Sequence, residues 1–166
     1  MGYSGSGKTF FITSAIKLLR NTMNYNVSVI KNVKHHPVDD EGKDSYRFNE
    51  AGAIFSVIQN ASNETAIFTK IEEDQFGNFL KWLHSGPFKP DLTFTEGFRN
   101  LNNPTVLCIS NLNEIEEQLT ENVKMISGVI CTKQITKNAI FNVPIIDIQN
   151  QFPIFLDLFN ISPKKS

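Results

Sequence analysis

The 166-residue chain contains little cysteine and has almost no net charge. Its two cysteines, Cys108 and Cys131, match no CxxC or other metal-ligand spacing, which argues against a disulfide framework or a cysteine-ligated metal. We expect both to be buried, inert thiols. Sixteen basic and 17 acidic side chains give a formal net charge of -1, so the composition does not favour nucleic acid or anionic lipid as a partner.

Long apolar runs are also missing. The chain nowhere reaches the run of about 18 apolar residues that a membrane span requires, and no basic segment leads into an apolar stretch at its start. We therefore expect neither a membrane span nor a signal peptide, and we predict a cytoplasmic protein that binds neither nucleic acid nor membrane.

Short β-rich apolar runs alternate with segments whose apolar residues have helical spacing. The predicted strands are 27–30, 66–69, 92–95, 105–110, 128–132 and 144–148, and the predicted helices are 8–20, 43–55, 74–84, 114–119 and 152–159. Most of these strands are apolar throughout, which is typical of parallel strands buried on both faces. The pattern predicts an α/β fold, a mostly parallel sheet flanked by helices, in one domain over residues 1–160 with a C-terminal tail at 161–166.

The strongest signal is a phosphate-binding loop. Residues 2–9 read GYSGSGKT, a full GxxxxGK[ST] pattern, and lead into the first amphipathic segment. Glycines let backbone N–H groups turn toward phosphate oxygens, and the helix presents its positive end. We expect Lys8 to reach the β and γ phosphates and the Thr9 hydroxyl to ligate Mg²⁺. The predicted nucleotide-binding residues here are Gly2, Tyr3, Ser4, Gly5, Ser6, Gly7, Lys8, Thr9 and Phe10.

A loop of this type ordinarily follows a buried strand, and here the sequence begins at the loop itself. Two explanations are open: the true start lies upstream, or the domain tolerates an empty slot in its sheet. We favour the first. Loss of the strand is expected to destabilise the domain, because apolar burial is lost and ladder groups on neighbouring strands stay unpaired.

A second candidate site element is the segment PDLTFTEGF at residues 90–98, a strand that ends in an acidic residue and a glycine. A carboxylate at the carboxyl end of a strand near the phosphate loop can hold Mg²⁺ or orient an attacking water. We therefore predict Lys8 and Glu96 as catalytic residues and Glu96 also as a metal ligand. An ordinary loop carboxylate is the alternative for Glu96.

A polar loop between a predicted strand and a predicted helix has the features of a switch region. Its segment, residues 30–45, reads IKNVKHHPVDDEGKDS and could contact a phosphate, a metal or a phosphorylated substrate. Asp44 or Ser45 could cap the following helix, and Asp44 is a metal candidate beside Thr9 and Glu96. The adjacent histidines make a weak zinc site, and a solvated loop remains the alternative. The predicted switch or substrate-loop residues are Lys31, His35, His36, Lys43, Asp44 and Ser45.

The segment GVICTKQ at residues 128–134 ends in a Thr-Lys pair that is faintly similar to the [NT]KxD loop with which GTPases read guanine. We predict Thr132 and Lys133 as further nucleotide-binding residues. The expected acidic position holds Ile135, so a carboxylate must come from elsewhere, for instance from Asp147. These residues leave the choice between guanine and adenine open.

Together, GYSGSGKT, the Ile-Lys pair before a His-containing loop, GKDSYR followed by AGA, and PDLTFTEGF resemble the MobB family, the molybdopterin-guanine dinucleotide biosynthesis adapter proteins. The resemblance spans most of the chain. The matching residues are Gly2 to Thr9, Lys31, His36, Gly42 to Arg47, Ala51 to Ala53, Asp91 and Glu96 to Phe98. This chain departs from the family in having Asn32 where a histidine is usual.

The resemblance implies a P-loop NTPase-like fold, GTP or GDP with Mg²⁺ as ligands, and a homodimer. It also implies weak or partner-dependent GTPase activity. The implied partners are the molybdopterin guanylyltransferase and, further, molybdopterin-binding enzymes.

Two other functions use the same loop. A small-molecule kinase of this size usually has an arginine-bearing lid, whereas the chain has only Arg20, Arg47 and Arg99. A non-hydrolysing nucleotide-dependent binding module, in which the nucleotide orders residues 32–45 for a partner, needs the same ligands. The sequence has no evident arginine finger or catalytic glutamine, so we predict slow or partner-dependent turnover.

Overall fold

The computed structural model describes residues 1–133 and 138–164. The chain forms two compact units, one built from Met1–Asn32 with Pro90–Ser166 and the other from Val33–Lys89. The single domain predicted over 1–160 stays a prediction, and the last two residues of the predicted tail lie outside the described residues. Within the described ranges, no helix combines the length and apolar character needed to cross a membrane.

Helices and short strands follow one another along the chain. In chain order they are α1 (Lys8–Met23), β1 (Val27–Lys31), α2 (Asp44–Glu50), β2 (Ser56–Gln59), β3 (Thr65–Phe68), α3 (Phe76–Ser85), β4 (Leu92–Glu96), β5 (Thr105–Cys108), α4 (Ile115–Gln118), β6 (Val123–Ser127), β7 (Ala139–Ile140), β8 (Val143–Pro144) and α5 (Phe152–Leu158). Single 3₁₀ turns precede α3 and α4 and follow β6.

The first unit contains two pairs of parallel strands. β1 pairs with β4 from Val27 opposite Leu92 to Lys31 opposite Glu96, and β5 pairs with β6. Ile126 adds a parallel bridge to Ile145. Parallel strands joined through helices confirm the predicted α/β class, and they bring the carboxyl ends of paired strands to one edge.

β4 and β5 are not hydrogen-bonded to each other, and Met1 lies along the free side of β5. The amino group of Met1 donates to the Val106 carbonyl, and the Cys108 N–H donates to the Met1 carbonyl at 2.8 Å. A cavity of about 390 Å³ lies between β4 and β5, and Gly2 and Lys8 contribute to its lining. The start of the phosphate-binding loop is therefore fixed by main-chain hydrogen bonds to β5.

The core of the first unit fixes α1, which carries the loop. Phe11, Ala15 and Leu19 recur every four residues on one face and are 3%, 0% and 0% exposed. The Phe11 ring meets the Phe155 ring of α5 edge to face, with centroids 5.9 Å apart. At the far end, Asn24 adopts a positive φ of 53° and its N–H donates to the Arg20 carbonyl, which ends the helix.

The second unit is a β-hairpin with two helices. β2 and β3 pair antiparallel, with Ser56 opposite Phe68 and Gln59 opposite Thr65. Most residues of the hairpin are exposed, and α3 has no buried residue among those described. Trp82 of α3 is 55% exposed and stacks on Phe79 with centroids 5.8 Å apart.

The structure corrects the bounds or type of three predicted elements. The predicted strand at 128–132 is wrong: Gly128 has a φ of 95°, which ends β6, and Val129–Thr132 form a 3₁₀ turn. The predicted helix at 43–55 ends at Glu50, close to Gly52 with its positive φ of 100°. The predicted strand at 144–148 reduces to β8 and the single bridge at Ile145.

Candidate functional site

The phosphate-binding loop holds the lysine side chain against its own backbone. The Lys8 ammonium donates to the Tyr3 carbonyl at 2.7 Å, and the Ser6 N–H donates to the same oxygen at 3.3 Å. Gly7, at a φ of 90°, lies at the N-cap, and its carbonyl accepts the first helical hydrogen bond from Phe11 at 2.9 Å. The loop thus ends at the positive end of a 16-residue helix, where backbone geometry favours an anion.

Close backbone approaches fix the loop on two strands. A Cβ added at Gly2 would lie 2.0 Å from the Cys108 carbonyl oxygen, and one at Gly128 would lie 2.2 Å from the Ser6 carbonyl oxygen. Val129 N–H donates to that Ser6 carbonyl at 3.0 Å. Only glycine fits at either position, so the loop is held between the ends of β5 and β6. Sequence reasoning missed the role of Gly128, although a glycine between two apolar segments was its signal.

Glu96 ends β4 in the position expected for the acidic residue of the site. Its carboxylate lies 3.8 Å from the ammonium of Lys31, and its side chain is only 12% exposed. The Asn32 N–H donates to the Glu96 carbonyl at 2.8 Å. Gly97, at a φ of 88°, lets the chain turn there, because an added Cβ would lie 2.7 Å from the Asn32 carbonyl.

Lys8 and Glu96 line one and the same cavity, together with Gly2. The two residues predicted to be catalytic therefore line the same cavity, and Lys31 contacts Glu96 across the β1–β4 pair. Ser6 of the loop is 1% exposed, and its hydroxyl has no hydrogen-bond partner among the described residues.

The donor set fits Mg²⁺ only in combination with phosphate oxygens. Thr9 is exposed in the first turn of α1, and Glu96 supplies one carboxylate. Among the described residues, no group of three or more His, Cys, Asp or Glu is placed to hold a metal ion. Mg²⁺ is commonly bound by one or two carboxylates plus substrate phosphates and water, and the Glu96 carboxylate and the Thr9 hydroxyl are each ligands of this kind, although Thr9 does not line the cavity.

The predicted switch residues beyond Lys31 belong to the second unit, so their part in the nucleotide site stays a prediction. His35 and His36 are exposed. The expected cap by Asp44 or Ser45 is wrong, because α2 begins at Asp44 with Lys43 at the N-cap and no side-chain cap hydrogen bond. Ser45 is buried and donates to the Asp39 carboxylate at 2.8 Å, which orders the loop internally.

Lys133 is connected to the phosphate-binding loop through the end of β5. Its ammonium donates to the Ser110 carbonyl and to the Asn111 side-chain oxygen, each at 2.7 Å, and the Ser110 hydroxyl donates to the Gly5 carbonyl at 3.4 Å. Thr132 instead closes its own turn by donating to the Val129 carbonyl at 2.8 Å. Sequence reasoning missed Ser110 and Asn111, although residues that follow the carboxyl end of a parallel strand commonly line ligand sites.

The Tyr3 side chain connects the loop to α4. Its hydroxyl donates to the Glu117 carboxylate at 2.7 Å, and the Arg99 guanidinium lies 5.8 Å from its ring centroid. Arg99 also donates to the buried Gln118 side chain at 3.3 Å. The hydrogen bond to Glu117, more than any other effect, raises the pKa of Tyr3. Phe10, also predicted to bind nucleotide, is 55% exposed, and its carbonyl accepts a hydrogen bond from Thr13.

Cys108 takes no part in this chemistry as a nucleophile. It is 2% exposed, and burial raises the pKa of its thiol to about 11. The thiol therefore stays protonated and packs as an apolar side chain, as expected from the sequence. The same expectation is wrong for Cys131, which is only partly buried and donates to the Ile146 carbonyl at 3.4 Å.

The fold and the loop define the class of the molecule, an α/β protein of the P-loop NTPase-like type. The profile of one family, described as "Molybdopterin guanine dinucleotide synthesis protein B", matches residues 1–132. The chain belongs to this family, MobB, as the sequence resemblance predicted.

Two curated relatives match parts of the chain. The molybdopterin-guanine dinucleotide biosynthesis adapter protein of Haemophilus influenzae is 36% identical over 107 residues, which cover 64% of this chain and 58% of the relative. A protein of Methanocaldococcus jannaschii is 31% identical over 116 residues, covering 67% of this chain and 46% of the relative. The matches thus span about half the length of these relatives.

Solved structures of similar fold cover nearly the whole chain. The Bacillus subtilis MobB structure aligns with a TM-score of 0.69 at 22% identity, covering 99% of this chain and 96% of the other. A MobB homologue from Bacillus stearothermophilus aligns with a TM-score of 0.64 at 15% identity, covering 97% and 95%. At these identities the likeness establishes the fold.

Proposed function

We propose that this protein is a GTP-binding adapter of molybdenum cofactor biosynthesis that assists the conversion of molybdopterin to molybdopterin guanine dinucleotide. The observation that carries the proposal is the placement of Lys8 and Glu96 on one cavity, beside a loop that Gly2 and Gly128 allow to pack on two strand ends. Membership of the MobB family supplies the biosynthetic context.

Each residue of the site has a distinct part in this proposal. Lys8 neutralises charge on the β and γ phosphates while remaining close to the Tyr3 carbonyl. Thr9 and Glu96 would hold Mg²⁺. Bound Mg²⁺ would neutralise phosphate charge. Glu96 would also orient the water that attacks the γ phosphate.

Thr132 and Lys133 form the proposed base side of the site. The link from Lys133 through Ser110 to Gly5 supports Lys133, because it joins this turn to the phosphate-binding loop. The Asn111 side-chain oxygen lies 2.7 Å from the Lys133 ammonium and adds a polar group to this proposed base side. The preference for guanine rests on the family and not on these contacts.

Slow or partner-dependent GTP hydrolysis is part of the proposal. The arginine beside the loop is Arg99, and its guanidinium contacts the Tyr3 ring and the Gln118 side chain. These contacts hold it within the protein, which agrees with slow hydrolysis by the isolated chain. The proposed partners are the molybdopterin guanylyltransferase and molybdopterin-binding enzymes, and the compartment is the cytoplasm.

The proposal includes a homodimer, and the second unit supports it. This unit exposes large apolar side chains, which commonly mark interaction surfaces. Among them are Val38 (79% exposed), Ile54 (87%), Phe55 (58%), Trp82 (55%) and Phe88 (86%). An isolated two-stranded hairpin is only marginally stable in water, so contact of β2 and β3 with a second copy of the chain would stabilise the hairpin.

Calorimetric titration with GTP, ATP and GDP, each with Mg²⁺, tests the nucleotide part, and a phosphate-release assay tests turnover. We expect selective binding of guanine nucleotides and turnover below about 1 s⁻¹ for the isolated protein. Failure of every nucleotide to bind would overturn the proposal. Tighter binding of ATP than of GTP would overturn its guanine assignment, and phosphate transfer from GTP to a small acceptor would favour a kinase instead.

A further inference from the structure

The carbonyl that holds the phosphate-binding lysine belongs to a residue whose side chain is fixed from outside the loop. The Tyr3 carbonyl accepts a hydrogen bond from the Lys8 ammonium at 2.7 Å, and the Tyr3 hydroxyl donates to the Glu117 carboxylate at 2.7 Å. One residue makes both contacts, so the hydrogen bond of its side chain restricts the positions that its peptide group can take beside the ammonium. Tyr3 and Lys8 are both members of the loop, whereas Glu117 belongs to α4.

A second contact holds the same ring. The Arg99 guanidinium lies 5.8 Å from the ring centroid, within the range of a cation–π contact. Arg99 is itself fixed by Gln118, which is 3% exposed and whose amide donates to the Glu114 carbonyl at 3.3 Å. The Tyr3 side chain is therefore held by Arg99, which follows β4, at its ring and by Glu117 of α4 at its hydroxyl.

We propose that Tyr3, Glu117 and Arg99 are positioning residues for Lys8, through a latch that fixes the Tyr3 carbonyl and so sets the preference of the site for a nucleoside triphosphate over a diphosphate. This inference rests on the proposed function. Lys8 reaches both the β and γ phosphates, and misplacement of its ammonium therefore weakens binding of a triphosphate more than binding of a diphosphate. An alteration that only loosened the fold would weaken both nucleotides alike.

The latch has a matched control in the same unit. Tyr25 also donates its hydroxyl to an outside group, the Ser162 carbonyl, and Lys164 lies 5.9 Å from its ring centroid. Tyr25→Phe therefore removes the same kind of hydrogen bond from a ring that also has a cation nearby, at a residue outside the loop. Glu116→Gln is the corresponding control for Glu117→Gln, because Glu116 is an exposed neighbour on α4.

The experiment measures Kd for GTP and GDP with Mg²⁺ by calorimetry, together with the melting temperature of each variant. For Tyr3→Phe we expect GTP binding to weaken by about three- to tenfold, the effect of losing one hydrogen bond, with a smaller change for GDP. Glu117→Ala should do the same, and Tyr3→Phe with Glu117→Ala should be no worse than either change alone. Glu117→Gln keeps an acceptor and should restore most of the loss, and Arg99→Gln should also lower the GTP-to-GDP preference.

Tyr25→Phe and Glu116→Gln should keep the wild-type preference. An unchanged preference in both Tyr3→Phe and Glu117→Ala, measured on a wild-type protein that binds GTP, would overturn the latch and leave the proposed function intact. Equal weakening of GTP and GDP binding, accompanied by a lower melting temperature, would show that these contacts only stabilise the fold. That result would also overturn the latch. If the wild-type protein bound neither nucleotide, the proposed function and the latch would both be wrong.

Discussion

Gly128 and Ser6 meet so closely that a Cβ at Gly128 would lie 2.2 Å from the Ser6 carbonyl oxygen. This contact joins the end of β6 to the phosphate-binding loop, and the Val129 N–H strengthens it by donating to the same carbonyl at 3.0 Å. The shape of the loop therefore depends on a residue 122 positions away in the sequence.

Gly128→Ala is expected to impair nucleotide binding and to lower stability, because the new methyl group must displace the loop. The matched control is Gly52→Ala, which also changes a glycine of positive φ, 100° against 95° at Gly128, but has open space around the new methyl group. The control should lose about 1–2 kcal/mol of folding free energy from backbone strain alone. Urea denaturation and a GTP titration of both variants check this, and equal losses in the two would contradict the contact.

Replacement of Glu96 by glutamine should weaken the dependence of GTP binding on Mg²⁺. The carboxylate lines the cavity shared with Lys8, whereas an amide has no charge for the cation. GTP titrations with Mg²⁺ and with a chelator measure this dependence. Asp91→Asn, at the start of the same strand segment, is the control, since Asp91 forms its ion pair with Lys164 at 2.8 Å. A Mg²⁺ dependence that Glu96→Gln left unaltered would remove Glu96 from the metal site.

Tyr3 should titrate above its ordinary range. The hydrogen bond to Glu117 raises its pKa in the folded protein, so the stabilising contribution is present below the unfolded pKa and is lost as pH rises through the raised pKa. Alkaline titration of tyrosinate absorbance, compared between the wild type and Tyr3→Phe, isolates this hydroxyl. In Glu117→Gln its pKa should fall toward the ordinary value, and a Tyr3 pKa that stayed the same would refute the pairing.

Phe155→Ala should destabilise the first unit by about 3–5 kcal/mol, the usual cost of removing a buried aromatic ring. Phe155 is 1% exposed and meets Phe11 of α1 with centroids 5.9 Å apart. Phe141→Ala, at a position 58% exposed in the same unit, is the control and should change the free energy of unfolding by less than about 0.5 kcal/mol. Urea denaturation measures both, and a small loss at Phe155 would contradict the packing described for α1.

Local sequence signals predicted the loop, α1 and the position of Glu96, because each depends on a short pattern. α1 follows from apolar residues every four positions, and β4 from the β-favouring Leu-Thr-Phe-Thr segment before Glu96. Strand β6 was missed because the exposed Lys124 interrupts its apolar pattern, and the turn after it was predicted as a strand in its place.

The remaining site contacts depend on tertiary structure. Tyr3 and Glu117 are 114 residues apart, and no spacing rule connects them. Lys133 was predicted from its motif, but its partners Ser110 and Asn111 follow from the parallel pairing of β5 with β6, which brings the segments after both strands together. Asp44 and the two histidines remain predictions from pattern alone.

The most direct test of the account is a calorimetric comparison of GTP binding by the wild type, Lys8→Ala and Lys17→Ala, each with Mg²⁺. Lys17 is an exposed lysine farther along α1 and serves as the matched control. The account predicts selective GTP binding by the wild type, unchanged binding in Lys17→Ala, and a loss of about 2–3 kcal/mol in Lys8→Ala, roughly 30- to 150-fold in Kd. Equal GTP affinity in Lys8→Ala and the wild type, with both proteins folded, would contradict it.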